Sequence, residues 1–119
     1  MQNKAKRVLL VGDDELLRMT RNHILQNAGY VVDTATTLED ALARCCTEHF
    51  DAVLISGQSQ EHALKECERI RSAKPDQLVI VIAQPNCYIP PDACPDKVVE
   101  AGPKDMLQGI ESALHKHRL

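Results

Sequence analysis

The sequence predicts a doubly wound α/β domain, an open five-stranded parallel sheet with helices on both faces. Five short runs rich in β-branched residues alternate with amphipathic stretches, the pattern of parallel strands joined by helical crossovers. The runs at 7–11, 52–55 and 78–83 are apolar at nearly every position, as strands covered on both faces should be. A chain of 119 residues with 44% apolar composition can build one substantial core but not two ordinary domains. A single domain spanning residues 1–119 is therefore expected.

Taken in order, the strands are expected at 7–11, 30–34, 52–55, 78–83 and 97–99. The first helix should start after Asp13 or Asp14, whose carboxylates can accept hydrogen bonds from free backbone N–H groups, and should end near Gly29. Its expected buried stripe is Leu17, Ile24, Leu25 and Ala28. Thr37, with Asp40 three residues on, opens a second helix that turns Ala41, Leu42 and Cys45 inward and ends near His49. Ala63, Cys67 and Ile70, with Leu64 beside them, mark a third helix that Lys74 and Pro75 close. Pro103 sits in the first turn of the last helix, which buries Met106 or Leu107, Ile110, Ala113 and Leu114. Between the fourth and fifth strands, Pro85, Pro90, Pro91 and Pro95 fix φ and remove donors too often for a regular helix. A loop, or at most one short turn, is expected there. Right-handed crossovers then place helices on both sides of the sheet.

A net charge of -3 provides no general attraction for nucleic acid or an anionic membrane. The apolar run behind the basic cluster Lys4, Lys6 and Arg7 is too short for a signal peptide or a span, so a cytoplasmic location is expected. The five cysteines, Cys45, Cys46, Cys67, Cys87 and Cys94, are odd in number and lack tight metal-ligand spacing. Core packing is the expected role of the three that fall in helical patterns. The five histidines, His23, His49, His62, His115 and His117, are expected on helix surfaces or ends.

Ligands of an open α/β sheet collect beyond the carboxyl ends of its strands. Asp13 and Asp14 follow the first strand there, Ser56 follows the third, Ala83 ends the fourth and Glu100 follows the fifth. The segment Val8-Leu9-Leu10-Val11-Gly12-Asp13-Asp14-Glu15 resembles the opening of the receiver domains of bacterial response regulators, in which an acid pair helps to hold Mg²⁺. Phe50-Asp51-Ala52-Val53-Leu54-Ile55-Ser56 resembles the receiver segment whose last residue is the phosphoaccepting aspartate. Residues 38–43, Arg69-Ile70-Arg71 and Pro103 follow in the family's order. The resemblance covers essentially the whole chain and implies a flavodoxin-like three-layer fold with strand order 2-1-3-4-5, the fourth helix being missing or very short.

The resemblance also marks departures. Serine stands at 56 where the family has aspartate, and Ala83 where it has a serine or threonine. The position of the family's lysine falls at Glu100, and the aromatic switch position near Lys97 or Val98 is not aromatic. The loop after Ser56 is about one residue short and lacks the family's Met-Pro. Receiver phosphorylation needs a carboxylate nucleophile and a cation to neutralise the incoming phosphate. Serine is a far weaker nucleophile unless a base activates it. Asp13 and Asp14 alone make a weak Mg²⁺ site, because that ion prefers several oxygen ligands. No other cofactor is expected. An inward Glu100 would add like charge, at a cost of roughly 4 kcal/mol for carboxylates about 4 Å apart at an effective dielectric near 20.

The expected function is that of a pseudo-receiver, a non-enzymatic module that meets a protein partner of a bacterial signalling pathway and contacts neither nucleic acid nor membrane. Tyr88 and Ile89, within the proline-rich loop, are the expected partner-contact residues. A phosphorelay receiver with residual Mg²⁺ binding, or phosphorylated on another side chain, is one alternative. Asp51 would be its nearest carboxylate, but lies roughly 16 Å from the active edge at about 3.3 Å per residue. A small flavodoxin-like binding protein or enzyme is the other alternative. One Phe, two Tyr and no Trp leave little to stack on a flavin, and no glycine-rich phosphate loop is present.

Overall fold

The computed structural model describes residues 5–56, 60–83 and 97–117. Five strands, β1 (Arg7–Val11), β2 (Val31–Ala35), β3 (Ala52–Ile55), β4 (Val79–Ala83) and β5 (Lys97–Glu100), form one parallel sheet in the order β2-β1-β3-β4-β5. Four helices are described: α1 (Glu15–Asn27), α2 (Leu38–Thr47), α3 (Gln60–Ala73) and α4 (Pro103–His117). The connection from β4 to β5, and with it the expected short or missing helix, lies outside the described residues.

Strand alternation divides the core into two layers. Val8 and Leu10 of β1, Ala52 and Leu54 of β3, and Ile80 and Ile82 of β4 pack with Leu25 of α1 and with Met106 and Ile110 of α4. The residues between them, Leu9, Val11, Val53, Ile55, Val79 and Val81, pack with Ala41 and Cys45 of α2 and Ala63, Cys67 and Ile70 of α3. Apart from Arg7 at the start of β1, the three central strands are thus apolar because each is covered on both sides.

Helix starts follow local chemistry. Asp14 caps α1, its Oδ1 accepting from the Leu17 N–H at 3.0 Å, and Thr37 Oγ1 caps α2 by accepting from the Asp40 N–H at 3.1 Å. Gly29, at φ 99°, turns the chain out of α1 in a conformation that disfavours side chains. The Tyr30 N–H still bonds back to Leu25 O at 3.1 Å, so β2 begins one residue later than expected.

Some side chains depart from the expected stripes. Ala28 is exposed because it is the C-cap of α1 rather than part of its core face. Leu17, Ile24 and Leu42 are half-buried. Among the cysteines Cys45 and Cys67 are buried, but Cys46, one residue round the helix from Cys45, is exposed, which corrects its assignment to the core. Cys87 and Cys94 lie outside the described residues. His23, His49, His62 and His115 are exposed, as expected of surface positions.

Charged groups close the amino end of the sheet. Arg7 lies over the Phe50 ring, 4.8 Å from its centroid, and its guanidinium pairs with Asp33 at 2.6 Å and with Glu48. The Arg7 N–H donates to Asp51 Oδ2 at 2.8 Å. Asp51 is therefore engaged at the end of β3 opposite Ser56, which agrees with its exclusion from the carboxyl edge on grounds of reach.

Candidate functional site

At the carboxyl edge, β1 and β3 run side by side, and Ser56 N–H donates to Val11 O at 2.8 Å. Gly12 follows Val11, and a Cβ placed on it would come within 3.2 Å of Ser56 Cβ and 3.4 Å of Ser56 O. The glycine thus lets the two strand ends approach, and any side chain there would press on the serine. Ser56 continues the alternation of Ala52 and Leu54, the strand positions that face α1 and α4.

That orientation sets up a contact which the sequence reading did not anticipate. Arg21 of α1 is only 4% exposed, and its Nη1 donates a hydrogen bond to Ser56 Oγ. Burial lowers the pKa of the guanidinium from its ordinary value, and the nearby Asp14 carboxylate pulls it back up. Even so lowered, an arginine stays charged at neutral pH. A cation therefore sits under the end of β3, between the strand and the first turn of α1. One turn earlier Arg18 Nη1 donates to Gly12 O at 2.8 Å, so a second arginine of α1 holds the β1–α1 turn.

The two acids face different neighbours. Asp14 uses one carboxylate oxygen as the cap of α1 and lies in the field of Arg21. Asp13 is exposed and lies in the field of Glu66 on α3. Burial raises the Glu66 pKa first of all, His62 opposes the shift and Asp13 adds to it. His62 Nε2 stands 3.6 Å from Glu66 Oε2. A carboxyl whose folded pKa exceeds its unfolded value costs nothing at pH below the unfolded value. The cost grows as pH rises through the folded pKa and is fully present above it. In its ionised form Glu66 is thus a local burden on the fold.

The remaining expected positions spread along the edge. Ala83 closes β4 and is paired in register with Glu100, the last residue of β5. Glu100 is exposed, and β4 separates its strand from that of Ser56, an offset of roughly 10 Å for two strand spacings. The structure therefore does not gather Glu100 with Asp13 and Asp14, and the like-charge cost considered for an inward Glu100 does not arise. Tyr88 and Ile89 lie outside the described residues. On the α2 and α3 side, Gly12, Asp13, Ser56, the β2–α2 turn at Thr36 and Thr37, and α3 border a cleft of about 890 Å³. Arg21 is not among its walls.

The Mg²⁺ that the resemblance implies does not fit this donor set. Such an ion keeps near-octahedral oxygen ligation and is usually held through carboxylates. Here one acid is half committed as a helix cap, the other is turned toward α3, and the third position offers a hydroxyl already engaged by a cation. Among the described residues no group of three or more His, Cys, Asp or Glu is placed to hold a metal ion.

Arg21 was legible in principle. It stands four residues before Leu25 and four after Leu17, on the stripe that faces the sheet. A charged residue at a core-facing position, one turn and a half beyond the carboxyl edge, was the available signal.

No family model and no curated protein matches the chain. Solved structures do match it. A CheY-like response regulator receiver domain protein from Methanospirillum hungatei JF-1 superposes with a TM-score of 0.80 at 23% identity, covering 97% of this chain and 98% of that one. The chemotaxis response regulator CheY4 of Vibrio cholerae matches with a TM-score of 0.76 at 20% identity, over 92% of this chain and 99% of that one. NtrX from Brucella abortus matches with a TM-score of 0.82 at 20% identity over 97% of this chain, the shared part being 27% of NtrX. With the same strand order and a match that runs almost end to end, the chain has the fold of response-regulator receiver domains.

Proposed function

We propose that the chain is a cytoplasmic signalling module that uses the receiver fold to meet a protein partner, without passing through an aspartyl phosphate and without catalysing a reaction. The observation that carries this reading is Ser56 at the end of β3, its hydroxyl held by the buried guanidinium of Arg21. A serine hydroxyl needs a base to become a nucleophile at neutral pH, and a guanidinium is a donor only, unable to take its proton. Ala83 has no hydroxyl to follow a phosphoryl oxygen, and the exposed Glu100 carries the wrong charge to hold one. What the fold retains is surface. Leu16 and Met19, three residues apart on α1, are 74% and 60% exposed, and such neighbouring apolar groups suit protein contact. No helix among the described residues is long and apolar enough to cross a membrane.

The test is incubation of the purified chain with acetyl phosphate and Mg²⁺, read by intact mass under conditions that preserve acyl phosphates. The mass is expected to stay unchanged. One added phosphoryl group on the chain would overturn the proposal.

A further inference from the structure

We infer that Arg21 is the resident cation of this sheet edge: its guanidinium, seated on the Ser56 hydroxyl and beside Asp14, stands in for a divalent ion and closes the site to one. The inference rests on reading the edge as that of a receiver-like module, and it gives Asp14 a counter-charge that belongs to the chain itself.

Three observations converge on it. Strand alternation turns Ser56 toward α1, and helical spacing places Arg21 on the face of α1 that meets the sheet, so the two backbone positions face each other. The side chain is 4% exposed, and a second arginine, Arg18, pins the turn that bears both acids. Finally, one of the two acids already has a counter-charge. Asp14 interacts favourably with Arg21, whereas Asp13 and Glu66 repel each other across the cleft. A divalent ion added at Asp14 and Ser56 would meet a fixed positive charge at close range, with Ser56 contributing only a neutral oxygen. The arrangement needs no ion to neutralise Asp14.

The charge, rather than the shape, of residue 21 should therefore control metal affinity once a third carboxylate is supplied. Mg²⁺ titrations followed by amide NMR at Asp13, Asp14 and position 56 compare the unaltered chain with the variants S56D, S56D/R21Q and S56D/R21K. Glutamine keeps a hydrogen-bond donor and loses the charge, while lysine keeps the charge. S56D/R21Q is expected to bind Mg²⁺ at least tenfold more tightly than S56D or S56D/R21K, about 1.4 kcal/mol. Equal affinities in S56D/R21Q and S56D/R21K would overturn the inference, as would saturable binding by the unaltered chain as tight as that of S56D/R21Q. Circular dichroism checks that each variant folds. If S56D/R21Q does not, Arg21→Gln alone is compared with the unaltered chain by Mn²⁺-induced broadening at Asp13 and Asp14. More broadening in the glutamine variant supports the inference, and identical broadening refutes it. A phosphoryl adduct on the unaltered chain would instead defeat the proposed function, and it is read separately by mass.

Discussion

Arg21→Glu is expected to destabilise the chain by about 3–5 kcal/mol, the range seen when a buried charge is left without its partner. The new carboxylate would occupy a position only 4% exposed, facing Asp14 with like charge. Arg21→Met should behave quite differently. Burial already works against the guanidinium more strongly than Asp14 works for it, and methionine keeps the apolar stem that packs along α1. That variant is expected to lie within about 1 kcal/mol of the unaltered chain, or to be more stable. Ser56 is partly open, so its hydroxyl can turn to water once the arginine is gone. Urea unfolding of the two variants checks both statements. A methionine variant destabilised as strongly as the glutamate variant would make Arg21 a structural pillar instead of a cation kept at the edge.

Leu54→Ala is expected to cost about 2–5 kcal/mol, the range for a fully buried leucine whose site cannot collapse. Leu54 is 0% exposed, lies opposite Leu10 on one side and Ile80 on the other, and belongs to the layer completed by Leu25, Met106 and Ile110. Paired strands on both flanks hold the backbone in place, so little relaxation can fill the void. Against a total stability of roughly 5–15 kcal/mol for a domain, the loss is large. Thermal and urea melts read it, and a change below about 1 kcal/mol would mean that this layer is less tightly packed than the burial implies.

The central strands were the easiest part to read in the sequence. Arg7–Val11 and Ala52–Ile55 have the boundaries expected from their apolar runs, since a strand buried on both faces ends where polar residues begin. The edge strand β2 is half-exposed, so its start is set by the hydrogen bonds that unwind α1 through Gly29 and Tyr30, and composition alone places it one residue early. Both capping residues, Asp14 and Thr37, were legible because capping is a local matter. The site was only partly legible. Ser56 could be singled out by its place after β3, and Asp13 and Asp14 by theirs after β1. Their grouping with Glu100 fails because loop side chains need a tertiary partner to turn them, and the partner present at this edge is Arg21 on α1. A reading that sorts helix faces by hydrophobicity passes over a charge placed on the buried face.

Crystals of the unaltered chain grown in excess MgCl₂ give the most direct view of that arrangement. Electron density is expected to show the Arg21 guanidinium on Ser56 Oγ, with no ion between Asp13 and Asp14. An octahedral ion ligated by the two acids, with the guanidinium turned out toward solvent, would contradict it.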